Sequence, residues 1–146
     1  MSRSLDLLDT RFRPMVDAFL TDCANNQIDL IVTCTFRSAA EQMALYAQGR
    51  TTPGPIVTRA KAGQSAHNYG FAIDVVPLVN GKPEWTGHNL VWQEVGRLGQ
   101  ARGMRWYGAP DSKFFEMPHF QHPDWFSLKT LTPAPVSAAP AGTRTP

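Results

Sequence analysis

Ser65-Ala66-His67-Asn68-Tyr69-Gly70-Phe71-Ala72-Ile73-Asp74 is the stretch on which the reading of this chain turns. It sets a histidine and an aspartate on either side of a glycine. It then runs into an apolar segment, Phe71 to Pro77, that predicts a buried strand. A carboxylate in the middle of such a run needs a cation, a metal or several donors, because an unpaired buried charge is costly. Strand alternation puts Ala72, Asp74 and Val76 on one face and Ile73 and Val75 on the other. Asp74 then points to the side that the loop carrying His67 can reach, which suggests a metal site. Gly70 is the residue that lets the backbone turn between the two.

Upstream, Leu5, Leu8, Phe12, Met15, Phe19 and Leu20 recur at helical spacing. Ser4 is the expected N-cap, and Pro14 is expected to kink or interrupt the helix. Asp29 to Phe36 is rich in β-branched residues and predicts a strand. Ser38 followed by Glu41 matches a capping box and starts a second helix that ends near Gly49. Residues 50 to 64, with their Pro and Gly, predict a surface loop bordering a cleft. Downstream, Val79-Asn80-Gly81-Lys82 predicts a hairpin turn. Leu90, Val91, Val95 and Leu98 predict a helix that ends near Gly103. Met104 to Tyr107 reads as a short strand, and Phe114 to His122 as an aromatic-rich extended piece.

The chain has 146 residues, so one domain with a real core is expected. Helices mixed with short, mostly hairpin-connected strands indicate an α+β fold. The domain is expected over 1–131. Residues 132–146 are rich in Pro and Ala without aromatics and predict a disordered tail. No apolar run is long enough to span a bilayer, and no signal segment is recognised at Met1 to Asp6. A monomer without stable membrane insertion is expected. The formal charge of +2, with no dense Lys/Arg block, argues against a nucleic-acid partner. Cys23 and Cys34 show no metal spacing and are expected as reduced, buried thiols.

The metal-ligand candidates are His67, Asp74 and His119, with Glu116 beside them. Imidazole nitrogens and a carboxylate are ordinary zinc ligands, and three protein ligands leave a fourth position for water. Glu116, three residues before His119, is the candidate general base. Strand residues three apart face opposite sides, and Pro118 disfavours a helix, so the backbone between Glu116 and His119 must bend. Taken singly, each residue has a plainer reading. His67 reads as a loop histidine, Asp74 as the partner of an arginine, and Glu116 and His119 as surface groups on an edge strand. His122 is a candidate for backing the ligands from behind or for the rim, and His88 a surface residue. The four tryptophans are expected as core or cleft-wall rings, with Trp106 closest to the site.

Ser65-x-His67-x-x-Gly70-x-Ala72-x-Asp74, followed by Glu116-x-Pro118-His119-Phe120, resembles peptidase family M15. Those are the zinc-dependent D-Ala-D-Ala carboxypeptidases and dipeptidases and the L-alanyl-D-glutamate endopeptidases of phage endolysins. Thr35-Phe36-Arg37-Ser38 with Glu41-Gln42 is similar to the family's upstream block, and Gly103-Met104-Arg105-Trp106 to the start of its tryptophan motif. The resemblance implies a Hedgehog/D-Ala-D-Ala peptidase-like fold, helices packed on a short antiparallel sheet that carries one Zn2+. It implies zinc on His67, Asp74 and His119, catalysis by Glu116 with Arg37, and Ser65, Gln42 and Trp106 at the substrate. The small single domain looks most like the endopeptidase branch. That branch implies bacterial peptidoglycan as partner, and a chain held in the host cytoplasm until a separate pore releases it to the wall. A D,D-carboxypeptidase or dipeptidase, and a non-catalytic zinc-bearing module, are the rival readings.

Overall fold

The apolar run beyond Gly70 is the longest strand of a computed structural model that describes residues 1–131. The expected tail, 132–146, lies outside the described residues. The strands are β1 (Leu30–Cys34), β2 (Ala72–Val79), β3 (Lys82–Pro83), β4 (Arg105–Trp106) and β5 (His119–Gln121). They form one sheet in the order β1-β2-β5-β4, with β3 turned back onto β2, and every pairing is antiparallel. The helices are α1 (Arg13–Asn25), α2 (Ala39–Ala47), α3 (Val91–Ala101) and the single turn α4 (Trp125–Leu128). The α+β architecture is the one expected.

Register decides what the sheet presents. Asp74 stands opposite Cys34 on one side and opposite His119 on the other, so these three side chains form a row on one face. Their strand neighbours Ile73, Val75 and Phe120 point the other way, into the core with Phe12, Val16 and Phe19 of the α1 region and Val95 and Leu98 of α3. The rings of Phe19 and Phe120 meet at 5.0 Å. Burying each such side chain contributes about 1.5–3 kcal/mol. α3 approaches the sheet closely because it carries glycine at the contact. A Cβ on Gly96 would lie 2.2 Å from the Trp106 ring, and one on Gly99 2.4 Å from Phe120. One face of the sheet is therefore core, and the other is left for chemistry.

Local signals mostly act as read. Ser38 and Glu41 cap α2 reciprocally, at 3.1 and 3.0 Å. Asn80 and Gly81 both take positive φ, 53° and 75°, in the turn that joins β2 to β3. Several expectations change. The helix expected from residue 4 is in two pieces, a 3₁₀ turn at Leu5–Leu7 capped by Ser4, and then α1. Pro14 does not kink a helix but sits in the first turn of α1, where its missing N–H has no partner to lose. The extended piece expected over 114–122 is strand only at His119–Gln121. Among the tryptophans, Trp92 and Trp106 are buried, while Trp85 is 61% exposed rather than in the core or cleft wall. No helix among the described residues is long and apolar enough to cross a membrane.

Candidate metal centre and cleft

The polar row of the sheet opens into a cleft of about 1110 Å³, walled on one side by residues of the 50–64 loop. His67 reaches it from a short 3₁₀ turn, Ala66–Tyr69, that Ser65 caps. The Ser65 hydroxyl accepts from the His67 N–H, and Asn68 Oδ1 accepts from the Ser65 N–H. Asn68 Nδ2 donates to the carbonyl of Arg37 at 2.8 Å, and the Arg37 N–H donates to the carbonyl of His67 at 3.1 Å. These bonds pin the turn to the segment that follows β1. Gly70 ends the turn with φ of +73°, and a Cβ there would meet backbone atoms of Asp9 and Leu7 at 2.8 Å. Only glycine satisfies both demands.

Two ring nitrogens converge on one carboxylate oxygen. His67 Nε2 lies 3.3 Å from Asp74 Oδ1, and His119 Nδ1 lies 3.0 Å from the same atom. The other nitrogen of each ring is already committed. His67 Nδ1 is 3.0 Å from the carbonyl of Thr35, which can only accept, so that nitrogen carries the hydrogen. His119 Nε2 is 2.8 Å from Gln121 Oε1 and is assigned a hydrogen in the same way. Both inward nitrogens are then bare lone pairs facing a carboxylate. Three such donors repel one another unless a cation stands between them, and outer hydrogen bonds of this kind are what orient metal-bound imidazoles. The donor set suits a divalent metal of the zinc type.

The ionisation of these groups tells the same story. Burial works against a charged His67, but Asp74 and Cys34 beside it outweigh that, and its pKa is pushed up to about 10. Burial also works against ionised Asp74, yet His119 and His67 hold its carboxyl well below the usual carboxylate range. The pocket therefore calls for positive charge, supplied by a proton or by a metal. Arg37 adds a guanidinium 4.0 Å from Asp74 Oδ2.

Cys34 was not expected here. Its sulfur, a His67 ring nitrogen and an Asp74 oxygen lie within 4.8 Å of one another. The sulfur approaches His67 from the Nδ1 side, at 3.6 Å, where the N–H already serves Thr35. It therefore stands beside the set His67, Asp74 and His119 rather than joining it. Both cysteines are free and buried, as expected, and burial pushes the Cys23 thiol up to about 12.

The bend before His119 is a hydrogen-bonded turn. The His119 N–H donates to the carbonyl of Glu116 at 3.2 Å, the Glu116 N–H to that of Tyr107 at 3.0 Å, and Val75 to that of Pro118 at 3.0 Å. Glu116 is exposed and lines the same cleft as His67, Asp74, His119, Arg37 and Ser65. Two expected substrate residues stand elsewhere. Trp106 is buried among core residues, stacked on Phe120 at 6.1 Å. It reaches the site only through its indole N–H, which donates to the Met117 carbonyl at 2.8 Å and holds the Glu116 turn. The strand alternation that turns His119 to the cleft turns Trp106 to the helices. Gln42 is fully buried. Its Oε1 accepts from Arg37 Nη1 at 3.1 Å and its Nε2 donates to the Ala60 carbonyl at 2.8 Å. His122 is no rim residue, since it packs on Phe12 and Phe71. Gln121 was missed, although its place two residues after His119 puts it on the same strand face.

Residues 6–106 match the family model VanY, D-alanyl-D-alanine carboxypeptidase. The matched stretch includes Arg37, Gln42, Ser65, His67 and Asp74 and ends before Glu116 and His119. The peptidoglycan L-alanyl-D-glutamate endopeptidase CwlK of Bacillus subtilis (strain 168) is 38% identical over 113 residues, 72% of this chain and 67% of that protein. The crystal structure of the L-Ala D-Glu endopeptidase ChiX of Serratia marcescens superposes with a TM-score of 0.60 at 18% identity, over 84% of this chain and 86% of that one. The D,D-pentapeptidase VanY from a VanB-type resistance cassette, solved in complex with Zn(II), gives a TM-score of 0.61 at 15% identity, over 84% of this chain and 78% of that one. The last two likenesses concern the fold.

Proposed function

The chain belongs to the VanY peptidase family, and from that premise we propose that it is a zinc-dependent endopeptidase of bacterial peptidoglycan, cutting the L-Ala-D-Glu bond of the stem peptide. The observation that carries this reading is the convergence of His67 Nε2 and His119 Nδ1 on Asp74 Oδ1, with Glu116 and Arg37 in the same cleft. The relation to CwlK favours the endopeptidase bond over the carboxypeptidase one.

His67, Asp74 and His119 would hold one zinc. When bound, the metal supplies a Lewis acid that activates water and polarises a carbonyl. Glu116 takes the proton of the attacking water and passes it to the leaving amine. Its seat on an exposed turn beside His119 gives it access to both. Arg37 donates to the oxygen that gains charge as the amide carbon becomes tetrahedral. Gln42 holds that guanidinium from behind, and Ser65 sets the turn that presents His67. An endolysin role, in which the enzyme is released onto the wall at the end of a phage infection, belongs to this reading. Its support is the likeness of the Arg37 block and of Ser65–Asp74 to that branch.

Digestion of purified peptidoglycan, with and without a chelator, tests the proposal. The expected products are stem fragments with a new amino group on D-Glu, absent when zinc is removed. Release of terminal D-Ala in their place would establish the rival carboxypeptidase.

A further inference from the structure

Trp125, in the wall of the cleft, belongs to a group of three aromatic side chains that stands apart from the catalytic groups. Tyr69 ends the turn that carries His67, and its ring stacks on Trp125 with centroids 6.0 Å apart and 29° between planes. Phe126 meets Trp125 edge to face at 5.6 Å and is 66% exposed. Lys129 Nζ lies near all three rings, 4.1 Å from the centroid of Phe126, 5.2 Å from Tyr69 and 5.5 Å from Trp125. Trp125 is a wall of the same cleft as His67 and Asp74. The Tyr69 hydroxyl is spent on the Gly63 carbonyl at 3.0 Å, so this residue offers its ring. Tyr69 and Trp125 are half-buried against the core, and Phe126, exposed beside them, carries this aromatic group from the cleft wall out to the surface, where apolar side chains mark an interaction surface.

We propose that this platform docks the glycan strand of peptidoglycan. The apolar face of an N-acetylated pyranose stacks on the aromatic group, and Lys129 donates to a sugar or acetamido oxygen. The inference rests on the reading of the protein as a stem-peptide hydrolase. Covalent structure places the sugar. The L-alanine whose carbonyl is cut is joined through its nitrogen to the lactyl group of muramic acid. One extended residue spans about 3.5 Å, so alanine and lactyl together put the sugar about 7 Å from the scissile carbonyl. At that range the sugar lies against the cleft wall, and Trp125 is part of that wall. Rings with an amphipathic neighbour suit a partner that is apolar on its faces and polar on its edges. Elsewhere the wall carries Arg50, Arg59 and Lys113, which suit the carboxylates on the peptide side of the bond rather than a neutral sugar.

The test uses the full chain in two measurements. In the first, chitotetraose is titrated while tryptophan fluorescence and backbone NMR shifts are followed. In the second, kcat/KM is compared for a stem peptide carrying its disaccharide and for the same peptide without it. The expected result is a response at Trp125 and Phe126, and a preference of about tenfold for the sugar-bearing peptide. Phe126→Ala on α4 and Lys129→Ala just after it should bring that ratio close to one and abolish the chitotetraose response. Cleavage at L-Ala-D-Glu with a ratio of one and no response to the sugar would overturn the proposal and leave the peptidase reading intact. Chitotetraose binding with no cleavage of either peptide would do the reverse. A response to anionic lipid vesicles, or to deletion of residues 132–146, in place of the sugar would assign the platform to a membrane or to the chain's own end and overturn it equally.

Discussion

The two sides of the cleft are made of different material. Cys34, Asp74 and His119 project from adjacent strands of a hydrogen-bonded sheet, where register fixes their spacing. Glu116 and the 50–64 wall ride on irregular backbone, held by scattered turn bonds and by side-chain bonds such as Trp106 to Met117 and Gln42 to Ala60. A metal needs donors held to a few tenths of an ångström, which the sheet supplies for Asp74 and His119 and the hydrogen-bonded turn from Ser65 to Gly70 supplies for His67. Proton transfer and substrate entry need access, which loops supply. The sheet side should therefore govern metal affinity, and the loop side turnover.

The largest effects separate the two sides directly. Asp74→Asn should lose zinc, measured as metal content after dialysis, and all activity with it. Glu116→Gln should keep zinc while kcat falls by about 10²- to 10⁴-fold. If Glu116→Gln emptied the site as well, the division between the two sides would be wrong. Gln121→Leu sharpens the point without touching a ligand. It removes the acceptor that orients His119, so zinc affinity should drop about 10- to 100-fold in a chelator competition. An unchanged affinity would mean that His119 is oriented by packing alone, against the Tyr107 ring 4.6 Å away.

How far these sides were legible follows the same division. Asp74 announced itself as a charge in an apolar run, and the turn around Gly70 through its residue types. The capping box at Ser38 and the Asn80-Gly81 turn were local and could be read as such. Trp106 and Gln42 could not, because their places depend on how distant elements pack. Trp106 faces inward because α3 offers glycines at Gly96 and Gly99, and Gln42 is buried because the 50–64 loop folds over it. Cys34 came opposite Asp74 through strand pairing, which no spacing within the chain reveals. The break before Pro14 was visible, but whether a proline kinks or starts a helix depends on where the helix begins.

The core behind the sheet offers a smaller perturbation. Gly96→Ala would force a Cβ into the Trp106 ring. Overpacking of this kind costs about 1–3 kcal/mol, to be read from denaturant midpoints. Since Trp106 also holds the Met117 carbonyl, kcat should fall by more than the zinc content does. A loss of zinc without a loss of kcat per bound metal would reverse the order of the two sides.

The smallest expected effect lies where residues 9–11 meet residues 128–131. Asp9 accepts from the Arg11 backbone N–H at 2.8 Å and from its guanidinium at 2.9 Å. Arg11 in turn donates to the carbonyls of Leu128 and Leu131, and the Asp9 N–H to that of Gly70. Burial raises the Asp9 pKa, but the bonds from Arg11 outweigh it, and the net shift is downward. A depressed carboxylate stabilises the fold above its unfolded pKa of about 3.9, and that stability is lost as pH falls through the folded value. Asp9→Asn should therefore cost about 1 kcal/mol at pH 7, and the gap from wild type should narrow as pH falls below the unfolded carboxylate value of about 3.9. Thermal melts of both proteins across that range measure it. A gap that persisted in acid would mean that this contact works by shape rather than charge, and that the Gly70 turn is held in place without the Asp9–Arg11 pair.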